Sequence, residues 1–117
     1  MNATRYKELT QDISHNLAAL RTHNADVMQG FGALSKAAMA AGALDEKTKE
    51  LIAMAIGVAS RCDGCLGFHA KALVRLGATP EEFHDMLGVA VYMGGGPSLM
   101  YAAHALEAFE EFSARTA

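Results

Sequence analysis

The sequence predicts an all-α protein, a bundle of five to six helices in one domain that spans residues 1–117. Alanine, the best helix former, supplies 23 of the 117 residues, whereas Val and Ile, which favour strands, together supply 8. Proline occurs only at Pro80 and Pro97, so long stretches of the chain carry no helix breaker. Hydrophobic residues make up 51% and charged residues 20%, the composition of a globular protein. Helices therefore account for this composition better than a sheet does.

Apolar residues that recur at steps of three and four place four helices in the first two thirds of the chain. Residues that commonly cap or stop a helix bound each of them. The first runs from about Thr4 to His23, and the second starts at a cap on Asn24 or Asp26 and stops at Gly42. The third opens at Asp45, and the fourth runs from near Cys62 to Gly77.

Two further helices follow, and the first of them has the clearest local signal. The segment Thr79-Pro80-Glu81-Glu82 reads as a capping box with proline at the first helical position, where its missing N–H costs nothing. The glycines Gly94-Gly95-Gly96 then predict a turn, and Pro97 starts the sixth helix.

Charge and hydropathy exclude several classes of function. The net charge of −3 provides no basic surface for nucleic acid or for an anionic membrane. The segment Met1–Glu8 has no apolar core of a secretory signal, and the uncharged stretch Met86–Leu106 is broken by its glycine turn, so neither predicts a membrane protein. We therefore expect a cytoplasmic protein, in whose reducing surroundings a close cysteine pair is more often catalytic or metal-binding than a permanent cross-link.

The uncharged stretch Met86–Leu106 also bears on assembly. A subunit of 117 residues has few places to bury two such helices completely, so we expect a homo-oligomer that covers them. The alternative is that they form the central hairpin of the subunit's own core. We also expect the rings of Tyr92 and Tyr101 to point inward.

The two cysteines stand in Cys62-Asp63-Gly64-Cys65, and His69 follows one helical turn later. On a helix Cys62, Cys65 and His69 fall within an arc of about 60° and share one face. A helix N-terminus favours thiolate over thiol, and an imidazole one turn away is able to accept or return the proton near neutral pH. The pattern predicts a redox-active dithiol with a base beside it.

Glu50 is the candidate partner for that base. It lies twelve residues before Cys62, which along one straight helix corresponds to about 18 Å. A reversal of the chain between Gly57 and Arg61 would bring Glu50 toward His69 instead. The alternative is that Glu50, with Lys47 and Lys49 beside it, belongs to a solvated charged turn.

Glu50, eleven intervening residues, the motif Cys62–Cys65 and His69 together resemble the active-site signature of the alkylhydroperoxidase D-like proteins of the carboxymuconolactone decarboxylase superfamily. The resemblance extends from about Leu44 to Phe112 and includes the glycine turn before Pro97. The chain differs at Gly64, where the best-studied hydroperoxidases of that superfamily carry a histidine.

The resemblance implies an all-α subunit that forms trimers or hexamers and reduces hydroperoxides. It implies that Cys65 is the peroxidatic thiol, that Cys62 is the resolving thiol, and that His69 and Glu50 relay the proton. It also implies an external dithiol reductant, a thioredoxin-like or lipoyl-bearing protein. We expect no bound cofactor and no metal, since the chain has no flavin or nicotinamide motif.

Three alternatives remain open from the sequence. Zinc is one, with Cys62, Cys65 and His69 as ligands and His84, His104 or Glu50 as the fourth. Decarboxylation of a muconolactone is another, in which His69 and Glu50 move protons and the cysteines are idle. The third is a redox sensor that oxidises once and does not turn over. His104 otherwise reads as a core or interface histidine of the sixth helix.

Overall fold

The computed structural model describes residues 3–114, and these form six α-helices. In chain order they are α1 (Arg5–His23), α2 (Ala25–Met39), α3 (Glu46–Ala59), α4 (Asp63–Arg75), α5 (Pro80–Gly94) and α6 (Gly96–Ser113). The all-α fold expected from composition is confirmed.

The starts of α3 and α5 follow from local hydrogen bonding. Asp45 accepts a hydrogen bond from the backbone N–H of Thr48 at 2.7 Å, and hydrogen bonding with the side chain and then the backbone of Thr48 lowers the pKa of the Asp45 carboxyl. At α5 the predicted capping box is confirmed, because the Glu82 N–H donates to the Thr79 hydroxyl at 3.1 Å and the Thr79 N–H donates to the Glu82 carboxylate at 2.9 Å.

Two predicted boundaries need correction. Helix α2 ends at Met39 rather than at Gly42, and the ammonium of Lys49 on α3 binds the carbonyls of Ala38 and Ala40 at 2.9 and 2.6 Å. A side chain from a neighbouring helix therefore satisfies the end of α2 in place of a glycine cap. The turn after α5 is a single residue, Gly95, whose φ of +75° suits glycine, so that α6 starts at Gly96 and not at Pro97.

The core lies between α3, α4, α5 and α6, and α1 packs across the start of α4. The rings of Phe83 and Phe109 stack with centroids 4.3 Å apart, which joins α5 to α6. At Gly67 an added side-chain carbon would lie 2.6 Å from the methyl of Thr10, so only glycine lets α1 approach α4 this closely. Other fully buried core residues are Tyr6, Met54, Val58, Leu66, Ala70, Leu73, Ala105 and Ala108.

The start of α1 is fastened to α6 by a buried carboxylate. Glu111 accepts hydrogen bonds from the backbone N–H groups of Tyr6 at 3.1 Å and of Lys7 at 2.6 Å. These N–H groups have no partner within α1, since they belong to its first turn. The contact fixes the position of the Tyr6 side chain, which reaches the start of α4.

A large apolar surface is left on the outside of the subunit. Helix α2 has no buried residue, and Val27, Phe31 and Leu34 on one of its faces are about two-thirds exposed. The expectation that Tyr92 points inward is wrong, because its side chain is 84% exposed. Further exposed apolar residues on α3, α5 and α6 are Ile52, Ile56, Val89, Met93, Leu99 and Met100. Within residues 3–114 no helix is both long and apolar enough to cross a membrane.

Candidate active site

The two cysteines form a disulfide at the N-terminus of α4. Cys62 is the N-cap residue of this helix, and its sulfur accepts a hydrogen bond from the Cys65 N–H at 3.2 Å. Both side chains are half-buried. A sulfur in this position faces the positive end of the helix dipole and an unpaired backbone donor, both of which favour a thiolate over a thiol once the disulfide is reduced.

A sharp turn between α3 and α4 brings the disulfide onto the surface of α3. Arg61 adopts a left-handed conformation with a φ of 55°, and the Cys62 N–H binds the carbonyl of Gly57 at 3.1 Å. A side-chain carbon at Gly57 would lie 3.2 Å from the Cβ of Cys65, so this glycine lets the backbone of α3 lie against the cysteine. The chain reversal expected in this segment is present.

That reversal places Glu50 against His69. Oε2 of Glu50 lies 2.7 Å from Nδ1 of His69; the carboxylate side chain is 9% exposed and the imidazole 30% exposed. A carboxylate only accepts hydrogen bonds, so Nδ1 carries the proton and Nε2 is left as the proton acceptor of the neutral ring. Of the four residues predicted for the site, two are therefore joined as a disulfide and two as a carboxylate–histidine pair.

A second carboxylate–histidine pair lies inside the cysteine motif, and the sequence interpretation missed it. Oδ1 of Asp63 lies 3.0 Å from Nδ1 of His104 on α6 and accepts a hydrogen bond from the Tyr6 hydroxyl at 2.7 Å. Burial raises the pKa of the Tyr6 phenol, and the bond to Asp63 raises it further, so Tyr6 remains a donor. His104 is half-exposed rather than buried in the core. A charged residue between the cysteines and a histidine in the uncharged stretch Met86–Leu106 were the available signals.

The residues proposed as zinc ligands are not gathered around one point. Within the described part of the chain, no three His, Cys, Asp or Glu side chains are placed to hold a metal ion together. His84, one of the candidates for a fourth ligand, is exposed on α5. The geometry thus gives the zinc alternative no support.

Comparison with known proteins assigns the family. A family model described as the carboxymuconolactone decarboxylase family matches residues 25–108, a range that includes the disulfide and both carboxylate–histidine pairs. The chain belongs to the carboxymuconolactone decarboxylase family. The resemblance inferred from the residues of the site is confirmed at this level.

Relatives of this carboxymuconolactone decarboxylase family chain include two bacterial proteins that match over most of their length. An uncharacterised protein from Cupriavidus necator is 37% identical over 111 residues, which cover 95% of this chain and 98% of the relative. The uncharacterised protein 4 of the cox locus in Paracoccus denitrificans is 39% identical over 87 residues, 74% of this chain and 78% of the relative.

Solved structures of the carboxymuconolactone decarboxylase family share the fold. The apo form of a family member from Legionella pneumophila has a TM-score of 0.94 and 58% sequence identity, over 95% of this chain and 99% of that one. A family member from Thermotoga maritima has a TM-score of 0.79 and 28% identity, over 87% of each chain. The Thermotoga protein is described in connection with an antioxidative response.

Proposed function

We propose that the protein is a thiol-dependent peroxidase, a disulfide oxidoreductase that reduces hydroperoxides through Cys62 and Cys65. One observation carries the proposal: the cysteines form a disulfide at the start of α4, one helical turn from a histidine whose Nδ1 is held by a buried carboxylate. Family membership, and the description of the Thermotoga relative, agree with an antioxidant role.

The first step oxidises Cys65. Its thiolate attacks the nearer oxygen of the hydroperoxide, and the O–O bond breaks with its electron pair leaving on the alkoxide. The protonated His69 donates a proton to that alkoxide, which departs as an alcohol, and Cys65 becomes a sulfenic acid. Glu50 positions the imidazole and balances the positive charge that His69 carries before this transfer.

The second step closes the disulfide. Cys62 attacks the sulfur of the Cys65 sulfenic acid, the S–O bond breaks, and the hydroxide leaves as water after taking a proton. In the disulfide the two Cα atoms are 5.2 Å apart, within the usual range for such a bond. In the proposed cycle Cys62 is the resolving thiol.

The third step needs an external dithiol. A reductant thiolate attacks one sulfur of the disulfide, and its second thiol then releases the mixed disulfide, so that two electrons pass from the reductant to the cysteine pair. We propose a thioredoxin-like or lipoyl-bearing protein as the donor, since no cofactor is required by these steps.

The experiment that tests the proposal uses the two single-cysteine variants and one equivalent of hydroperoxide. The wild-type dithiol should lose both thiols and form one intramolecular disulfide by peptide mapping, whereas Cys65→Ser should consume no peroxide. Cys62→Ser should stop at a sulfenic acid that dimedone traps, because no resolving thiol remains.

The outcome also decides the order of the cysteines. The N-cap position of Cys62 favours a thiolate there as well, so a reversed result, with sulfenic acid in Cys65→Ser and an inert Cys62→Ser, would make Cys62 the attacking thiol. If both variants match the wild type, the peroxidase proposal is wrong. If the cysteines are oxidised by peroxide but do not turn over in the presence of dithiothreitol, the protein is a redox sensor instead. If Cys65→Ser decarboxylates a muconolactone, the protein is a decarboxylase.

A further inference from the structure

Asp63 links the cysteine motif to two other helices. It is the first residue of α4 and follows Cys62 directly in the chain. Its Oδ1 accepts the hydrogen bond of Tyr6 from α1 and lies 3.0 Å from Nδ1 of His104 on α6. The proposed peroxidase steps use none of these three side chains, although they connect to the site through the residue next to Cys62.

The Asp63–His104 pair repeats the geometry of the Glu50–His69 pair. In both, a carboxylate oxygen holds Nδ1 of the imidazole, so Nε2 is the nitrogen that takes up a proton. Within residues 3–114, Nε2 of His104 has no hydrogen-bond partner, and the ring is 37% exposed, so solvent protons reach it. The pair has a net charge of −1 with a neutral imidazole and of zero with a protonated one.

This charge belongs to the residue that follows Cys62 in the chain. A negative charge close to a thiol opposes its ionisation, and a neighbouring positive charge offsets that effect. The thiolate of Cys62 therefore forms more readily when His104 is protonated than when it is neutral. Asp63 follows Cys62 directly in the chain and is two residues from Cys65, whose Cβ lies against α3, so we expect the larger effect on Cys62.

We propose that His104, acting through Asp63, is a positioning residue that makes the reactivity of Cys62 depend on pH. The inference rests on the proposed function, in which Cys62 must ionise to close the disulfide. When His104 is protonated, the Cys62 thiolate forms more readily and attacks the Cys65 sulfenic acid faster. When His104 is neutral, the unbalanced Asp63 carboxylate keeps the proton on Cys62.

Other charged and titratable groups surround the pair, and the test must separate their effects. On α1, Arg5 binds the Tyr6 hydroxyl at 3.3 Å and also pairs with Glu107 of α6 at 3.3 Å, so these two charges offset each other. Tyr101 of α6 lies with its ring 5.0 Å from that of His104. Further groups near the cysteine motif are Arg61, His69 and Glu50. Among all of these, His69 is the other side chain whose ordinary titration range covers pH 5–8.

The experiment measures the alkylation of Cys62 alone by iodoacetamide, in Cys65→Ser protein, between pH 5.5 and 9. His104→Asn is the matched variant, because an Asn side chain keeps an N–H donor for Asp63 but takes up no proton. At pH 6 we expect His104→Asn to slow the alkylation of Cys62 by about 3- to 10-fold, since the Asp63 charge is no longer balanced. At pH 9 both proteins carry a neutral residue at 104, so their rates should converge.

Three controls separate this effect from a structural one. In Cys62→Ser protein, where Cys65 is the remaining thiol, His104→Asn should change the alkylation rate by less than about twofold at every pH. Tyr6→Phe removes one hydrogen bond to Asp63 but leaves the charges of Asp63 and His104. With Tyr6→Phe, Cys62 should therefore be alkylated at pH 6 as fast as it is with Tyr6 present. In an Asp63→Asn background, His104→Asn should have a smaller effect on Cys62, because the carboxylate that holds the imidazole at the cysteine motif is gone.

The proposal is overturned if Cys62 shows the same pH profile with and without His104, or if both cysteines respond equally. Circular dichroism establishes that each variant is folded. If His104→Asn does not fold, Asp63→Asn decides by itself, because its removal of the unbalanced carboxylate must raise the alkylation rate of Cys62 at pH 9. None of these measurements uses peroxide. A wild-type protein that fails to consume hydroperoxide would therefore remove the proposed function without affecting this readout.

Discussion

At the scale of single residues, the feature that most supports the proposed proton relay is the buried carboxylate of Glu50. A carboxylate that is withdrawn from solvent needs a partner, and the partner here is the imidazole of His69, one helical turn from Cys65. An ordinary surface ion pair would leave both groups exposed, as Glu46 and Arg75 are on the neighbouring surface of the same two helices. The site therefore differs from a solvated charged turn, the alternative that the sequence left open.

Substitutions of this pair should slow the oxidation of Cys65 without unfolding the protein. His69→Ala removes the proton donor and should slow the single-turnover reaction with hydroperoxide by about 10²- to 10⁴-fold. Glu50→Gln preserves shape but removes the charge that supports the imidazolium, so a smaller loss, about 10-fold or more, is expected. Glu46→Gln and His84→Ala are the matched controls on exposed positions and should react like the wild type. A rate for His69→Ala equal to that of the wild type would exclude it from the relay.

Tyr6 provides a pH dependence of stability that belongs to one residue. Its pKa is raised in the folded protein from the ordinary value of 10.0, because the phenol is desolvated and bonded to Asp63. The contribution of the protonated Tyr6 phenol to the free energy of unfolding is complete below pH 10. It is lost as the pH rises toward the pKa of the folded state, since the unfolded chain releases the proton first. Above pH 10 the free energy of unfolding should fall more steeply in the wild type than in Tyr6→Phe. Urea titrations at pH 8 and pH 11 measure this difference; parallel losses would contradict it.

At the scale of elements, the packing of α1 on α4 decides whether Tyr6 reaches Asp63. The approach depends on Gly67, where a side chain would meet the methyl of Thr10, and Thr10 is itself held by hydrogen bonds to the carbonyls of Tyr6 and Lys7. Helix α1 also lies close to α4 one turn earlier, at Gly64, where an added side-chain carbon would lie 2.8 Å from the Cδ1 of Ile13. A histidine between the cysteines, as in the best-studied hydroperoxidases, would require the Ile13 side chain to move.

Gly67→Ala tests this packing. We expect it to lower the free energy of unfolding by about 1–3 kcal/mol, because Thr10 cannot rotate away without breaking its own hydrogen bonds. Gly30→Ala is the control: it lies in the exposed helix α2 with no atom near the added carbon, and it should raise the free energy of unfolding by as much as about 1 kcal/mol. Urea denaturation followed by circular dichroism measures both. Equal stabilisation by the two alanines would show that α1 is free to move away from α4.

At the scale of the whole molecule, the exposed apolar surface favours association. Helix α2 presents Val27, Phe31 and Leu34 to solvent, and the outer faces of α5 and α6 present Tyr92 and Met100. A subunit that buries these side chains against other copies removes them from water, with a gain of about 25 cal/mol for each Å² of apolar area. We propose that the protein is a trimer or a hexamer in solution.

Light scattering tests the assembly directly. The wild-type protein should have a mass several times that of the 12.4 kDa chain. Phe31→Glu should lower that mass, because it places a charge in the middle of the α2 surface, whereas Gln29→Glu on the opposite face of the helix should leave it unchanged. A wild-type protein that stays monomeric at high concentration would contradict the proposal.

The sequence by itself determined the features that depend on near neighbours in the chain. Helix formation follows from alanine content and apolar periodicity, the start of α5 follows from a capping box four residues long, and the common face of Cys65 and His69 follows from the pitch of a helix, whereas Cys62 lies at the extended N-cap before α4. These features need no information about distant residues. The same local reasoning failed at the end of α2, where Lys49 from another helix replaces the predicted glycine.

Only the tertiary structure decided which distant side chains meet. Glu50 and His69 are 19 residues apart, Asp63 and His104 are 41 apart, and Tyr6 reaches Asp63 across 57 residues. The direction of each helix after its turn fixes these contacts, and periodicity does not contain that direction. The packing of the subunit also leaves α2 and Tyr92 exposed. Their sequence does not predict this, since an apolar face has the same pattern whether its own subunit or another copy covers it. The physical reason is that burial depends on the packing of whole elements, whereas a sequence pattern records only which face of an element is apolar.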